Sequence, residues 1–270
     1  MRRSKRTVKN TVVRTWQKPR IYSLAASVCS RLSASERAGK REERAEELKR
    51  EKFYAQFIQK GDLCFDIGAN LGTRTEAFRK IGAATIAVEP QDVCVASLKK
   101  RWGKDKKVKI VRKAVGAQEG EITLAICTED NEKSSCSAEW MDISRRGSLK
   151  GFGLVWDTRV RVQMTTLDKL IEEFGIPHFC KIDTEGFEWE CIQGLSQPVK
   201  ALSLEFHTEH LSPAINSIRR LAELGLTKYN YDIAESMELA LGRWIGADEI
   251  CKVLENYPDK YIYGDVYALG

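Results

Sequence analysis

The chain has 270 residues, of which 43% are hydrophobic and 30% are charged, enough for one α/β domain of ordinary size, alone or with an arm. No stretch approaches the roughly 18 uninterrupted apolar residues of a membrane span, and the first residues fit a cleavable secretory signal poorly. The eight cysteines form no C-x-x-C pair, which argues against a zinc site and favours small buried side chains in a reducing cytoplasm.

Positive charge is concentrated in the first part of the chain. Residues 1–52 carry 16 Lys and Arg against 6 Asp and Glu, whereas the remaining residues carry 28 against 32. Residues 1–35 lack a strong period and are predicted to be a basic, flexible arm. A solvated extension is the preferred interpretation, and weak contact with an anionic membrane or nucleic acid is the alternative. Residues 36–60 predict a helix that docks on the following domain with its apolar end.

From residue 61 onwards, short apolar runs alternate with helical patterns, which predicts a mostly parallel α/β domain over residues 61–270. The first half has expected strands at 62–67, 84–89, 107–112 and 121–127 and expected helices at 73–81 and 91–102. The second half has expected strands at 160–164, 179–183 and 199–206 and expected helices at 166–174, 187–193, 211–224 and 247–256. A final antiparallel pair is expected at 226–231 and 261–269.

Residues 128–157 are predicted to be a long loop. The segment is rich in Ser, Glu, Asp and Arg, with Trp140 and Trp156 among them. A loop of this length in a compact domain is usually a lid, a binding loop or disordered. Two interpretations stay open: the serines and aromatic rings contact a sugar-like substrate, or the rings pack into the edge of the domain.

The most specific motif is D-I-G-A-N-L-G at residues 66–72, here called the glycine turn, which follows the first predicted strand. Gly68 and Gly72 would let the backbone approach a ligand closely. The pattern differs from G-x-G-x-x-G, and Asp66 would repel a pyrophosphate but suits a cationic aminoacyl group. Glu89 ends the second predicted strand, where it can accept both hydroxyls of a ribose. These features favour S-adenosylmethionine over a dinucleotide.

The third predicted strand is followed by small apolar residues, Ala114 and Val115. They would let an adenine ring lie flat against the edge of the sheet. Val115 is therefore included among the predicted cofactor-binding residues.

The acceptor side of the site is predicted at the ends of the fourth and fifth strands of the parallel sheet. Asp183 and Glu185 should face the methyl sulfonium, because ligands lie beyond the carboxyl ends of parallel strands. If S-adenosylmethionine is the cofactor, transfer of its methyl group needs alignment of donor and acceptor and often a base, for which Asp183, Glu185 and His207 are the candidates. Lys181 shares the strand face of Asp183 and is expected to pair with a neighbouring carboxylate.

Carboxylate and imidazole groups also suit divalent ions. A metal site formed by Asp183, Glu185, Glu205 and His207 is therefore conceivable, but no metal is predicted.

Roughly residues 50–270 resemble the FkbM family of S-adenosylmethionine-dependent methyltransferases, through residues 61–90, 165–168, 181–188 and 204–206. The resemblance implies a class I methyltransferase (Rossmann-like) fold: a seven-stranded, mostly parallel sheet with helices on both faces. It implies O-methylation of a sugar or glycan, a polyketide or another small hydroxylated metabolite. It places four residues in the cofactor turn and Glu89 at the ribose; the four turn residues are Asp66, Gly68, Asn70 and Gly72.

Two alternatives of other classes are less favoured. An NAD(P)-dependent dehydrogenase would need the glycine pattern that is missing. A nucleic-acid-binding or RNA-modifying protein could use the basic arm, but the body is slightly acidic and contains no RNP-type or zinc pattern. The expected partner is a small-molecule or glycan acceptor in the cytoplasm, and the sequence does not identify the acceptor or the oligomeric state.

Overall fold

The computed structural model describes residues 21–270, with the side chains of the first helix described from residue 37. That helix, α1, is Ile21–Tyr54, so it begins and ends earlier than the helix expected at 36–60. It ends where the chain turns so that Phe57 stacks on Phe179 and Tyr267. Residues 1–20 of the predicted arm lie outside the described residues. The chain divides at Glu46, and the sheets, the core and the cavity belong to the unit Glu47–Gly270.

The strands of the described chain form two sheets. In chain order they are β1 (Leu63–Ile67), β2 (Ala84–Val88), β3 (Val108–Val111), β4 (Ala114–Val115), β5 (Gly120–Cys127), β6 (Trp156–Thr165), β7 (Phe179–Ile182), β8 (Ala201–His207), β9 (Lys228–Tyr231) and β10 (Tyr263–Leu269). The larger sheet has seven strands in the order β3-β2-β1-β7-β8-β10-β9. Its pairs are parallel except where β10 pairs with β8 and β9. This confirms the predicted seven-stranded, mostly parallel sheet and the final antiparallel pair.

Strand order reverses beside β1, which has β2 on one side and β7 on the other. Such a switch point opens a crevice at the carboxyl ends of the strands, because the connections leave in opposite directions. The glycine turn leaves β1 at this point. The crevice therefore lies where the sequence places the cofactor and the acceptor.

Helices cover both faces of this sheet, as predicted. They are α2 (Thr73–Ile81), α3 (Asp92–Trp102), α5 (Leu167–Phe174), α6 (Glu188–Gln193), α7 (Ser212–Glu223) and α8 (Ala247–Glu255). Successive strand residues point to opposite faces. Phe65 accordingly belongs to the core cluster of α5, α6 and α7, whereas Cys64 belongs to the cluster that contains Tyr54 of α1 and Phe78 of α2.

The predicted loop 128–157 is partly regular structure. It contains a short 3-10 turn, Asn131–Lys133, and helix α4, Ala138–Arg146. Ser137 caps α4 by accepting a hydrogen bond from the backbone amide of Trp140. Strand β6 begins at Trp156 because it pairs with β5 along nearly its whole length in the smaller sheet, whose order is β4-β6-β5. The expectation of a long loop was therefore wrong for the part that forms α4.

No helix within residues 21–270 has the length and hydropathy needed to cross a membrane.

Gly68 marks the closest approach of the glycine turn to β7. Its φ is +78°, and a Cβ atom on this residue would lie 1.7 Å from the carbonyl oxygen of Asp183. Gly225, which follows α7, has a similar φ of +97° but nothing within 4 Å of its Cβ position. The two glycines share a backbone conformation and differ in available space.

Gly68→Ala is expected to destabilise the protein more than Gly225→Ala. The left-handed conformation alone costs an alanine about 1–2 kcal/mol. The overlap with Asp183 should add about 1–3 kcal/mol at Gly68. Urea unfolding would measure the loss in the free energy of unfolding for each variant. Equal losses would show that the glycine turn and the end of β7 can move apart at little cost.

Candidate active site

A cavity of about 640 Å³ opens at the carboxyl ends of β1, β2, β7 and β8, a size ordinary for a small-molecule site. The cavity brings together all but one of the predicted site residues. Those that line it are Asp66, Gly68, Asn70, Glu89, Val115, Asp183, Glu185 and His207. The exception is Gly72, which lies behind the turn. A Cβ there would lie 2.3 Å from the Trp102 ring, so this glycine serves packing between the turn and α3.

The glycine turn is fixed against β2 by its own backbone. The amides of Gly68 and Ala69 donate to the carbonyl oxygen of Val88, at 2.9 and 3.0 Å. Asn70 has a φ of +46°, and its side-chain oxygen accepts a hydrogen bond from the amide of Asn131 at 2.5 Å. The turn is thus anchored on one side by the sheet and on the other by the segment after β5.

Glu89 lies in the cavity with both carboxyl oxygens engaged. One accepts from the backbone amide of Asn70 at 2.9 Å, the other from that of Gln91 at 2.8 Å. The residue is only 2% exposed, and this burial raises the pKa of its carboxyl to about 7 although both amides act against the shift. Each carboxylate oxygen has two lone pairs, so both retain one for a ligand.

Asp66 lies at the end of β1 beneath the turn. Its carboxylate accepts a hydrogen bond from the Thr75 hydroxyl at 2.5 Å, which ties β1 to α2. Burial raises the pKa of Asp66, while Thr75, Arg74 and Lys181 oppose the rise.

Lys181 is buried between two carboxylates, as the sequence predicts. Its ammonium lies 2.7 Å from an oxygen of Asp265 and 3.2 Å from an oxygen of Asp183. Burial alone would raise the pKa of Asp183, but Lys181, Arg74 and Lys133 together hold the pKa below its usual value. The Asp183 side chain remains 25% exposed and lines the cavity. The network therefore presents an ionised carboxylate to a ligand.

Glu185 joins a second group of charged side chains. One of its oxygens, Oε1, accepts from the Lys133 ammonium at 2.8 Å, and the other, Oε2, is buried without a partner among the described residues. The His207 ring nitrogen Nε2 lies 3.2 Å from Glu205 Oε2. One donor atom from each of Glu185, Glu205 and His207 lies within 4.8 Å of the other two.

The pKa values of this group reflect burial and mutual repulsion. Burial, followed by the Glu205 carboxylate, raises the pKa of Glu185 well above its usual range. Burial alone would lower the pKa of His207, but Glu205 raises it to about 9. The sequence gives no signal for Lys133, because it lies 52 residues from Glu185 in a segment with no periodic pattern.

The segment 128–157 forms part of the cavity rim through internal contacts. Ser135 donates to the backbone oxygen of Glu185 at 2.6 Å, and the Trp156 indole donates to the backbone oxygen of Lys133 at 2.7 Å. Trp140 is buried and packs edge-on against Trp156. Both rings are therefore packed into the domain edge, while Trp140 also lines the cavity, so contact with a substrate stays a prediction.

The strand order, the glycine turn and the cavity define a class I methyltransferase fold. The family model described as "Methyltransferase FkbM domain" matches residues 66–233, and the chain belongs to that methyltransferase family. This membership favours a methyltransferase over a dehydrogenase or a nucleic-acid-binding protein. Comparison with curated proteins finds no significant match.

Solved structures with a similar fold are remote in sequence. The methyltransferase FkbM of Methylobacillus flagellatus KT is 13% identical with a TM-score of 0.44, and the alignment covers 78% of this chain and 44% of that one. A TehB-like S-adenosylmethionine-dependent methyltransferase of Corynebacterium glutamicum is 11% identical, with a TM-score of 0.42 and coverage of 88% and 99%. Fibrillarin of Aeropyrum pernix, solved with natively bound S-adenosyl-L-methionine, is 9% identical, with a TM-score of 0.39 and coverage of 79% and 68%. At these values the similarities decide nothing about the reaction, and this chain spans less than half the length of the first protein.

Lys181→Met is expected to destabilise the protein by about 3–5 kcal/mol, because it leaves Asp183 and Asp265 buried without their ammonium partner. Without the ammonium, the pKa of both carboxyls rises, so the folded variant binds more protons than its unfolded chain. The loss in the free energy of unfolding should therefore be larger at pH 8 than at pH 5. Urea unfolding at both pH values would measure it. Lys169→Met, which removes an exposed lysine paired with Glu172, is the control and should change little. A loss no larger for Lys181→Met than for this control would contradict the prediction.

Proposed function

We propose that this protein transfers the methyl group of S-adenosylmethionine to a hydroxyl oxygen of a sugar or glycan, a polyketide or another small metabolite. The observation that carries the proposal is Glu89, a buried carboxyl inside the cavity that is held by backbone amides on both sides of the turn. A fixed carboxylate with a lone pair left on each oxygen suits two adjacent hydroxyl donors, as a ribose presents.

The remaining cofactor-binding roles follow from the lining of the cavity. Val115 and Ala114 are apolar and would contact the adenine ring. Asp66 and Gly68, at the opposite side of the turn, would lie next to the aminoacyl group. Asn70 would act by shaping the turn and holding Glu89 through its amide. Gly72 would contribute only through the packing of the turn.

The cofactor, when bound, supplies an electrophilic methyl group on a sulfonium. Asp183 is the residue best placed to orient the acceptor, because it is ionised and open to the cavity. Its carboxylate would accept the hydroxyl proton as the oxygen–carbon bond forms and the carbon–sulfur bond breaks, with the electron pair leaving on sulfur. Glu185 and His207 are weaker candidates for the base, since Lys133 and Glu205 already engage them.

Glu89→Gln is expected to weaken binding of S-adenosylhomocysteine at least about tenfold, since a hydrogen bond to a charged group contributes about 1.5–3 kcal/mol. Isothermal titration calorimetry would measure the dissociation constant. Asp92→Asn is the matched control, because Asp92 is an exposed acid three positions away that pairs with Arg112. No binding by the folded wild-type protein would refute the proposed cofactor, and unchanged affinity of Glu89→Gln would remove Glu89 from the site.

The affinity for S-adenosylhomocysteine measured in this titration is expected to depend on pH. The pKa of about 7 leaves Glu89 mostly protonated at pH 6 and mostly ionised at pH 8. Because the ionised form accepts both ribose hydroxyls, the affinity should rise over this interval by up to about tenfold. Glu89→Gln should lose this dependence, whereas a wild-type affinity that is flat or falls with pH would contradict the assignment.

Asp183→Asn is expected to lower the turnover number about 100-fold or more while the dissociation constant of S-adenosylhomocysteine stays within a factor of three, because the amide cannot take the proton. Transfer of labelled methyl groups to a panel of sugars, glycans and hydroxylated polyketides would measure it. Glu132→Gln, another acidic residue of the cavity lining, serves as the control. An unchanged turnover number for Asp183→Asn would exclude Asp183 as the base.

A further inference from the structure

The group formed by Glu185, Glu205 and His207 is built from two neighbouring strands. Glu205 and His207 are two positions apart near the end of β8, so both side chains lie on the same face. Glu185 follows β7, which pairs with β8 in parallel. The sheet therefore brings two carboxylates and one imidazole to the same end of the cavity, each offering a donor atom within 4.8 Å of the others.

We propose that Glu185, Glu205 and His207 bind a divalent transition-metal cation such as Mn²⁺ at the acceptor side of the cavity. The existence of this site depends only on the three side chains, whereas its part in catalysis rests on the proposed methyl transfer. One imidazole with two carboxylates suits first-row transition metals better than Ca²⁺, which prefers oxygen ligands alone.

The spacing of the donor atoms suits a shared cation. Two ligands each about 2.1 Å from a metal, at angles between 90° and 109°, lie roughly 3.0–3.4 Å apart. His207 Nε2 and Glu205 Oε2 are 3.2 Å apart. One oxygen of Glu185 lies within 4.8 Å of both atoms, so a shift of the Glu185 side chain would complete the set.

The unpartnered oxygen of Glu185 is a second, independent observation. Glu185 is 7% exposed, and its Oε2 is buried without a hydrogen-bond partner in the described part of the chain. A buried carboxylate oxygen without a donor or a cation is costly. A metal ion between Glu185, Glu205 and His207 would satisfy it.

Lys133 engages only one of the two oxygens of Glu185. Its ammonium contacts that oxygen, Oε1, at 2.8 Å. It therefore orients the carboxylate and leaves Oε2 available. Glu185 and Glu205 are buried carboxyl groups that line this end of the cavity, and the buried Glu188 interacts electrostatically with Glu205, so a cation with two positive charges would complement the three together with Lys133.

The location gives the cation a role in the proposed reaction. Asp183, Glu185 and His207 line the same cavity as Glu89. A cation held there would contact the acceptor hydroxyl and lower its pKa, which eases release of the proton to Asp183. An acceptor with two adjacent oxygens, such as a vicinal diol, would bind such a cation best because it can chelate.

The direct test is titration of the full chain, freed of metal with a chelator, with MnCl₂ by calorimetry and by electron paramagnetic resonance. We expect one Mn²⁺ per chain, at least tenfold weaker binding by Glu185→Gln and by His207→Gln, and no change for Glu132→Gln and His210→Gln. Glu132 lines the same cavity, and His210 lies three positions from His207 and pairs with Glu139. The melting temperature of the wild type should rise with Mn²⁺, and that of the two site variants should not.

Absence of Mn²⁺ binding by the wild type, or equal binding by Glu185→Gln and His207→Gln, would overturn the proposal. If a site variant does not fold, as judged by circular dichroism, the conservative His207→Asn and Glu205→Asp variants replace it, and unchanged affinity in these would likewise overturn it. Titration of the same preparations with S-adenosylhomocysteine separates the two hypotheses. Cofactor binding without Mn²⁺ binding refutes the metal site alone, and Mn²⁺ binding without cofactor binding supports the site while refuting the proposed methyl donor.

Discussion

The close approach of the glycine turn to β7 is the constraint on which the site depends. At Gly68 there is no room for a side chain, because the carbonyl oxygen of Asp183 occupies that space. The turn and the end of β7 are consequently held at backbone contact distance. Glu89 on one side and Asp183 on the other thereby face one cavity across a fixed gap. Alignment of two reactants is worth most when the groups that hold them cannot drift apart.

This geometry brings many charged side chains into a buried region, and each needs a partner. Lys181 is shared by Asp183 and Asp265, and Lys133 compensates Glu185. Breaking such a pair leaves an uncompensated charge, which costs far more than the pair itself contributes. Oε2 of Glu185 is an exception on this side of the cavity, since it is buried without a hydrogen-bond partner in the described part of the chain.

Sequence reasoning identified the parts of the site that depend on local order along the chain. Glu89 and Asp183 could be predicted because each ends an apolar strand, and the ends of parallel strands share one sheet edge. Helix α4 could not, because its nine residues lie in a segment without a sustained helical pattern, and the packing of Trp140 on Trp156 of β6 is not visible in the sequence. The contact of Lys133 with Glu185 joins residues 52 apart and leaves no periodic pattern. Gly72 was predicted to bind the cofactor as part of the glycine turn. It belongs to the turn, but it packs against Trp102 and does not line the cavity.

The position of β10 has a consequence for how the site is assembled. This strand lies between β8 and β9 although it follows both in the chain, and it brings Asp265 to Lys181 across 84 residues of sequence. Contacts of such long range form late in folding, because the entropy of closing the loop is lost before the contact is gained. During synthesis, the strands from β1 to β8 leave the ribosome with the lysine still lacking this partner. The ion pair at the centre of the sheet can thus form only after β10 has been made, so a chain that stops before β10 would leave Lys181 without Asp265.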